Sequence, residues 1–501
     1  MSIVSTACLL LNLFGYFYNP SDWLNFPPMS EIRSISTSPF DAYITVSNGI
    51  FVMDKYYGNL TRSITTSDGI AVPIKLAGYD PELGILWILS EDGSQLTGFY
   101  PRTQMCFNIN LPFRANSIGI ADQDLYFDIS KPKTMRMDKR LLNFSQADSL
   151  PLTITWYGTR SNSQIRSYTF LTPYQYIDYE FNRYSITCVY TDFNRLWVGT
   201  NGYGVFVYNL SSTRMLNHYQ FGLKTISSKI IPTQEGLWFV NDDYPRSFTR
   251  YDPTTDEWTY FNTKAGIPSP VKSSLYSLKL FDLIRTEEIT NLVQDSNTYW
   301  ISTNQSLYFY NPKSLTLEPI FLPGGHRLNN IKTLFLNGSE LLIGTDNNLL
   351  GYNKRTKKFS QVDDPDGSFN FGVSDIVRGN DKLYFACFGK VVSFPIGIQH
   401  DSINQASWQR VVITELGLDT RINALAYAPN TLFIGYAGGI IIYYEQSEKY
   451  EYFTTQNGLP DNYVYDLYID QNQQSQQNQY LWIITPQGLS RFLYQKIYSI
   501  K

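Results

Sequence analysis

The sequence predicts an all-β protein made of repeated four-stranded units. Aromatic residues make up 16% of the 501 residues, and such residues favour the pleated, half-buried surfaces of β-strands. Gly, Asn, Asp and Pro separate short apolar runs, whereas the 3.6-residue period of an amphipathic helix is weak throughout. A short strand with a bulky second residue also recurs along most of the chain, which indicates a repeat architecture.

The recurring strand has its clearest copies where the second residue is tryptophan. These copies are centred on Trp87, Trp197, Trp238, Trp300 and Trp482. Weaker copies extend the series and are centred on Ile44, Tyr126, Leu342, Tyr384 and Phe433. Most intervals between neighbouring copies are 39 to 49 residues, close to the ~40–50 residues of one propeller blade.

Each unit reads as four strands joined by tight turns. In one unit the predicted strands are 422–427, 432–436, 440–444 and 450–453. A single sheet of this kind has two apolar faces, so such sheets must stack around an axis as the blades of a β-propeller. The spacing predicts about ten to eleven blades, more than the ~4–8 that are typical of one ring. One large ring and two rings therefore both remain open.

The two ends of the chain predict a closure. The last unit lacks a fourth strand, while the segment 22–26 resembles the outermost strand 257–261 of another unit. We expect 22–26 to pair with the C-terminal strands, because an unpaired sheet edge is otherwise left bare. Two irregular insertions break the period, near 128–185 and 264–288. The first includes Trp156 and is interpreted as a further irregular blade, and the second as an extra hairpin or a short helix.

Composition excludes several functional classes. The net charge of −4, without basic clusters, argues against a nucleic-acid-binding protein. Three histidines and four cysteines without a Cys-x-x-Cys pair argue against a zinc centre. Residues 1–18 form a candidate signal peptide, with an apolar first strand as the alternative. No other segment is long and apolar enough to span a membrane, and 19–501 form the propeller array.

The C-terminal unit resembles the two-component-regulator propeller repeat, a WD40/YVTN-like propeller repeat. The matching residues are Thr454, Gly458, Leu459, Val464, Asp470, Leu481, Trp482, Ile483, Thr485, Gly488 and Leu489. The resemblance implies a protein related to the periplasmic sensors of hybrid histidine kinases, which often sense glycans, or to free-standing envelope and secretion-associated proteins. Because no kinase follows Phe492, we expect a free-standing member that is periplasmic or secreted.

No conspicuous catalytic or cofactor motif is present. The segment 201–204 is interpreted as a hairpin turn and not as a phosphate-binding loop. The acidic run 363–367 superficially resembles a calcium loop, but turn chemistry accounts for it. We therefore expect no cofactor, and a structural calcium ion is unsupported.

A recognition face is predicted where the loops between second and third strands meet the loops that join successive blades. Tyrosines beside amide and carboxylate groups suit a sugar or a peptide. The predicted residues are Tyr203, Asp242, Asp243, Tyr244, Asn304, Asp346, Asn347, Tyr436, Gln456, Asn457 and Asp461.

The leading hypothesis is a non-catalytic extracytoplasmic propeller that binds a protein or glycan ligand in a sensor-like or scaffold role. One alternative is a propeller enzyme that acts on a glycan or small molecule with an axial metal. Another is a cytoplasmic protein-interaction platform. The oligomeric state and the ligand are left open.

Overall fold

The chain folds into antiparallel β-sheets, as the computed structural model shows, and the predicted all-β propeller class is confirmed. The structure describes residues 22–129, 134–158, 165–171, 174–177, 182–243, 247–261, 283, 287–396, 409–411, 421–470 and 479–494. These residues form ten sheets.

The chain begins with β1 (Trp23–Phe26), which belongs to the last sheet, and then forms four consecutive sheets. Sheet 1 contains β2 (Ser34–Thr37), β3 (Asp41–Val46), β4 (Gly49–Asp54) and β5 (Leu60–Ile64). Sheet 2 contains β6 (Ile74–Asp80), β7 (Ile85–Ser90), β8 (Gln95–Tyr100) and β9 (Met105–Asn110). Sheet 3 contains β10 (Ala115–Ile120), β11 (Asp124–Ile129), β12 (Thr134–Asp138), β13 (Phe144–Gln146) and β14 (Thr155–Gly158). Sheet 4 contains β15 (Gln175–Ile177), β16 (Arg183–Asp192), β17 (Arg195–Thr200), β18 (Val205–Asn209) and β19 (Met215–Tyr219).

Six further sheets follow, each with four strands. Sheet 5 contains β20 (Ser227–Thr233), β21 (Gly236–Asn241), β22 (Phe248–Asp252) and β23 (Glu257–Phe261). Sheet 6 contains β24 (Ile289–Asp295), β25 (Thr298–Thr303), β26 (Leu307–Asn311) and β27 (Thr316–Ile320). Sheet 7 contains β28 (Ile331–Asn337), β29 (Glu340–Thr345), β30 (Leu349–Asn353) and β31 (Lys358–Val362).

The remaining three sheets complete the described fold. Sheet 8 contains β32 (Val373–Arg378), β33 (Lys382–Cys387), β34 (Lys390–Pro395) and β35 (Gln409–Val411). Sheet 9 contains β36 (Ile422–Ala428), β37 (Thr431–Tyr436), β38 (Gly439–Tyr444) and β39 (Lys449–Phe453). Sheet 10 contains β40 (Asp466–Ile469), β41 (Tyr480–Thr485) and β42 (Gly488–Leu493), together with β1. Single 3-10 turns occupy Thr66–Asp68, Thr169–Leu171, Ser368–Phe371 and Thr455–Asn457.

Contacts between the innermost strands run in two circuits. In the first circuit, β2 contacts β6, β6 contacts β10 and β14, and β16 contacts β2. Tyr157 of sheet 3 stacks on Tyr190 of sheet 4 with ring centroids 6.1 Å apart, which completes the contacts among sheets 1 to 4. In the second circuit, β20, β24, β28, β32, β36 and β40 contact one another in that order, and β40 returns to β20. The contacts thus favour two rings, of four and six sheets.

The N-terminal strand supplies the outermost strand of the last sheet, as the sequence predicts. Strand β1 pairs antiparallel with β42, with Trp23 opposite Phe492 and Phe26 opposite Leu489. The rings of Trp23 and Phe492 stack with centroids 4.3 Å apart. The chain therefore leaves the second circuit after β1, builds the first circuit, and returns to build sheets 5 to 10.

The described residues of the first irregular insertion belong to sheets 3 and 4 and form no separate blade. Trp156 lies in β14, which pairs with the inner edge of β10 in sheet 3. The interpretation as a further blade is therefore wrong, because β14 pairs with β10 and so belongs to sheet 3. The insertion predicted near 264–288 lies almost wholly outside the described residues.

The recurring tryptophans form the core between neighbouring sheets. Trp87, Trp197, Trp238 and Trp482 are among the largest fully buried side chains. They lie on β7, β17, β21 and β41, where strand alternation directs one apolar face towards each neighbouring sheet. Truncating one such side chain to alanine costs about 3–5 kcal/mol, so the repeated strand carries much of the stability.

Candidate binding surfaces

Tyr203, the first residue of the predicted recognition face, is buried instead of displayed. Its ring stacks on Tyr184 at 4.2 Å and on His218 at 4.9 Å. His218 Nε2 lies 2.6 Å from the Tyr203 carbonyl oxygen, and burial lowers the pKa of the imidazole. The prediction failed because β15, an extra strand that the repeat does not show, brings Tyr176 against the same ring at 5.4 Å.

Several other predicted residues organise their own loops. Asp243 accepts hydrogen bonds from Ser247 and pairs with Lys224 at 2.7 Å. Asn304 Oδ1 accepts from the Glu288 amide at 3.2 Å.

Two more residues of the predicted recognition face hydrogen-bond within their own turns. Asn457 Oδ1 accepts from the Thr454 amide at 3.0 Å, and Asp461 Oδ1 accepts from the Tyr463 amide at 2.8 Å. Asp242 and Gln456 are exposed, Tyr436 is half-buried, and Tyr244 lies outside the described residues.

Two predicted residues share a cleft between sheets 7 and 8. Exposed Asp346 and Asn347 line a cavity of about 390 Å³ together with Phe371, Phe388 and Arg421. Lys332 also lines it and pairs with Asp346 at 3.2 Å. The cleft combines exposed aromatic rings, amides and both signs of charge, which suits a polar ligand with a flat face.

The acidic run 363–367 stabilises its own turn. Asp364 accepts from the backbone amides of Ser368 and Phe369, each at 2.7 Å. Asp366 pairs with Lys390 at 3.2 Å. Within the described ranges, no group of three or more His, Cys, Asp or Glu side chains is placed to hold a metal ion.

A second surface, which the sequence analysis did not find, lies at one end of the first circuit. Two turns there have the same construction. Asp54 Oδ1 accepts from the amides of Tyr56 at 2.8 Å and Tyr57 at 2.9 Å. Asp138 Oδ1 accepts from the amides of Arg140 and Leu141, each at 2.8 Å. Each aspartate thereby fixes the two residues that follow the intervening lysine.

The lysine of each turn joins two sheets. Lys55 Nζ contacts Asp192 of sheet 4 at 2.9 Å, and Lys139 Nζ contacts Asp80 of sheet 2 at 2.8 Å. These two lysines and two aspartates all line one cavity of about 510 Å³ where sheets 1 to 4 meet. The charges at this end are thus paired within the fold, and the outward-facing residues of the turns are left for contact with solvent or a partner.

Apart from Arg140, whose side chain is 79% exposed, the large outward-facing residues are apolar. Tyr57 is 84% exposed and Phe193, in the turn between β16 and β17, is 95% exposed. We call this set the turn-face patch, and its members are Phe40, Tyr56, Tyr57, Leu141, Leu152 and Phe193. Monomeric soluble proteins rarely expose large apolar groups together unless the surface contacts another molecule.

An equivalent turn in the second circuit carries polar residues instead. Asn353 Oδ1 accepts from the amides of Arg355 at 3.0 Å and Thr356 at 2.9 Å, and Lys354 pairs with Asp295 of sheet 6 at 2.8 Å. The same turn chemistry therefore works with Arg and Thr in the displayed positions. The fold does not require the apolar residues of the turn-face patch.

The inner strands of the second circuit hold a charged cluster whose hydrogen bonds join neighbouring sheets. Lys229 Nζ lies 3.1 Å from Asp466 Oδ1, and Asp466 Oδ2 accepts from the Ile230 amide at 2.8 Å. Asp375 accepts from the Leu425 amide at 2.7 Å. Burial raises the pKa of Asp466 against the opposing effect of Lys229. Backbone amides at the inner edge of a sheet have no neighbouring strand to accept their hydrogen bonds, and these carboxylates accept them instead.

Comparisons with known proteins agree with this fold. No protein-family model and no curated protein matches the sequence. Among solved structures, PorZ of Porphyromonas gingivalis matches with a TM-score of 0.54 and 10% identity, over 94% of this chain and 87% of that chain. The extracellular domain of the putative hybrid two-component system BT3049 of B. thetaiotaomicron matches with a TM-score of 0.39 and 14% identity, over 97% and 71%.

These matches bear on the fold alone. Among the described residues, no helix is long and apolar enough to cross a membrane. The expected resemblance to two-component-regulator propellers is confirmed at the level of the fold. The chain is a β-propeller protein whose described residues form ten sheets.

Proposed function

We propose that this chain is a non-catalytic extracytoplasmic propeller that binds a protein partner through the turn-face patch. The observation that carries the proposal is the exposure of aromatic and aliphatic side chains together at one end of the first circuit. Large apolar side chains that are exposed at one end of a soluble protein are candidates for an interaction site.

The patch has the properties of a preorganised binding surface. Asp54 and Asp138 hold its two turns through backbone hydrogen bonds, so little conformational freedom remains to be lost on binding. Exposed aromatic rings are the side chains that most often supply the central anchors of protein interfaces. Lys55 and Lys139 are paired internally, so among the cations of these two turns it is Arg140 that is exposed beside the apolar side chains.

An extracytoplasmic location is supported by two observations. The N-terminal apolar run suits a signal peptide. The solved neighbour PorZ is described as a bacterial surface component of the type-IX secretion system. A partner in the cell envelope is the corresponding proposal for this chain.

The experiment compares patch variants with a matched control. The double variant Tyr57→Ser and Phe193→Ser removes two exposed rings, and Arg355→Ser, the control, changes a displayed residue of the equivalent turn in sheet 7. Immobilised proteins are incubated with envelope extract, and retained proteins are quantified by mass spectrometry. We expect the patch variant to lose a partner by about tenfold or more, since an aromatic anchor contributes about 2 kcal/mol or more. Equal retention by all three proteins would contradict the proposal.

The cleft between sheets 7 and 8 favours a second, small-molecule ligand such as a glycan. Phe371 is 71% exposed beside Asn347 and Asp346, so an apolar face and hydrogen-bonding groups are adjacent. A glycan array probes this surface directly. We expect any glycan bound by the wild type to be lost by Phe371→Ala, whereas binding that survives both Phe371→Ala and Asn347→Ala would place the site elsewhere.

A further inference from the structure

The cavity of about 510 Å³ between sheets 1 to 4 opens beside the turn-face patch. Tyr56 and Phe193 belong both to its lining and to the patch, and they are 62% and 95% exposed. The innermost strands β2, β6, β10 and β16 all end in this lining, at Thr37, Asp80, Ile120 and Asp192. A partner that contacts the patch therefore also covers the mouth of the cavity.

The charges of the described lining residues are negative in sum, and the exposed ones are carboxylates. Four carboxylates and two lysines line the cavity, which gives a formal net charge of −2. Lys55 and Lys139 are 6% and 2% exposed, and each is paired inside the fold. Two carboxylates face solvent, since the Glu82 side chain is 37% exposed and Asp122 is also exposed. The mouth of the cavity is therefore complementary to a cation.

Two exposed arginines at this end of the first circuit lie outside the lining. Arg140 lies 3.6 Å from Glu82, and Arg102 is in the turn that follows β8. Glu82 is thus partly neutralised, whereas Lys139 donates at 3.0 Å to the backbone carbonyl of Asp122. Of the two exposed carboxylates, Asp122 is therefore the more available to an incoming cation.

Aromatic rings form much of the wall. Tyr79 and Tyr190 are half-buried, and Tyr190 stacks on Tyr157 with centroids 6.1 Å apart. Tyr56 and Phe193 add exposed rings at the mouth. Aromatic faces attract cations, and a planar guanidinium also stacks on them, which an ammonium group does not. Aromatic walls with carboxylates at the mouth therefore suit an arginine.

We propose that this cavity receives an arginine side chain of the protein partner that contacts the turn-face patch. The inference rests on the proposed function, because the patch holds the partner over the cavity. The guanidinium lies against the tyrosine rings, and its charge is complementary to Glu82 and Asp122. An acidic side chain in the same place meets like charge, so a partner with a carboxylate there is disfavoured.

The test uses the peptide acetyl-Leu-Arg-Leu-amide and its citrulline analogue, whose side chain has a similar shape but no charge. Binding of each peptide to the full chain is measured at low salt by titration with saturation-transfer-difference NMR. We expect the arginine peptide to bind about five-fold more tightly than the citrulline peptide, the upper end of the range for an exposed ion pair. High salt should reduce that preference, because it screens exposed charges.

Variants separate the cavity from the patch. Glu82→Gln combined with Asp122→Asn should bring the two peptides to within about two-fold of each other. Asp381→Asn, at an exposed aspartate in the turn between β32 and β33, is the matched control and should keep the preference. Tyr57→Ser removes a patch ring outside the lining, so it should weaken both peptides and leave their ratio unchanged.

The ratio of the two affinities decides the inference. Absence of saturable binding of the arginine peptide, or equal binding of both peptides by the wild type, would overturn it. So would a preference that survives Glu82→Gln with Asp122→Asn, or tighter binding of acetyl-Leu-Glu-Leu-amide. In each of these cases, loss of an envelope partner by Tyr57→Ser with Phe193→Ser still supports the proposed function, so the two proposals fail separately.

Discussion

Lys139→Met should destabilise the protein far more than Lys354→Met, although the two lysines make the same contact. Each Nζ lies 2.8 Å from an aspartate of the preceding sheet. In both cases that aspartate also accepts from a tryptophan indole, Trp87 at 3.2 Å or Trp300 at 3.3 Å. The pairs differ in burial, because the Lys139 and Asp80 side chains are 2% and 0% exposed, against 20% and 27% for Lys354 and Asp295.

The expected magnitudes follow from that difference. Removing one partner of a buried pair leaves a carboxylate without its counter-charge and costs about 3–5 kcal/mol, so Lys139→Met should lower the free energy of unfolding by that amount. A partly exposed pair contributes about 1 kcal/mol or less, which is the expected cost of Lys354→Met. In Lys139→Met, Asp80 still accepts hydrogen bonds from the Trp87 indole and from the Glu82 amide at 3.1 Å. We therefore expect the loss of stability to lie nearer the lower end of that ~3–5 kcal/mol range.

Urea unfolding followed by tryptophan fluorescence measures both variants against the wild type. Adding Asp80→Asn to Lys139→Met removes the unpaired charge and should recover part of the lost stability. Equal costs for the two lysine variants would refute the reasoning, as would a double variant less stable than Lys139→Met alone.

Three further predictions follow from burial and close packing. Burial raises the pKa of Cys188 to about 12 and also raises that of Cys387. In a Cys8→Ser protein at pH 8, we therefore expect Ellman's reagent to react rapidly with half-buried Cys106 alone and with all three thiols after unfolding. Because the folded Cys188 thiol holds its proton to higher pH than the unfolded one, its contribution to stability should be lost between about pH 9 and 12. Gly78→Ala should cost about 1–3 kcal/mol in urea unfolding, since its Cβ would lie 2.5 Å from a tyrosine ring of sheet 3. Three reactive native thiols, or a Gly78→Ala protein as stable as the wild type, would contradict these expectations.

Local pattern was sufficient to place most strands. The unit predicted at 422–427, 432–436, 440–444 and 450–453 corresponds to β36 to β39 with ends shifted by one residue at most. Strand alternation and turn residues are set by neighbouring residues, so they can be read from the sequence. The likeness of the segment 22–26 to the outermost strand β23 also located β1 correctly.

Long-range packing explains what could not be read. Tyr203 has the sequence context of an exposed loop, but the extra strand β15 and His218 cover its ring. Trp156 has the sequence context of a new blade, yet its strand, β14, pairs with the inner edge of β10. Both outcomes depend on which distant segments meet, and the repeat pattern contains no information about that.

The turn-face patch had a sequence signal that was overlooked. The third strands of sheets 1 and 3 end at Asp54 and Asp138, a lysine follows each aspartate, and bulky residues come next in both turns. The turn at Asn353 has the same pattern with polar residues at its third and fourth positions. Comparing the three turns shows that the first two positions of each turn are structural, whereas the third and fourth side chains are displayed. The lysine contacts that place both turns around one cavity are between sheets and needed the structure.

Pairing of β1 with β42 tests the propeller arrangement most directly, because it joins the two ends of the chain. Native-state hydrogen exchange resolved by mass spectrometry measures the amides of both strands. We expect the β1 amides that point at β42 to exchange with the same free energy of opening as those of β42. Exchange of β1 at the rate of an unprotected terminus, while β42 stays protected, would contradict the pairing.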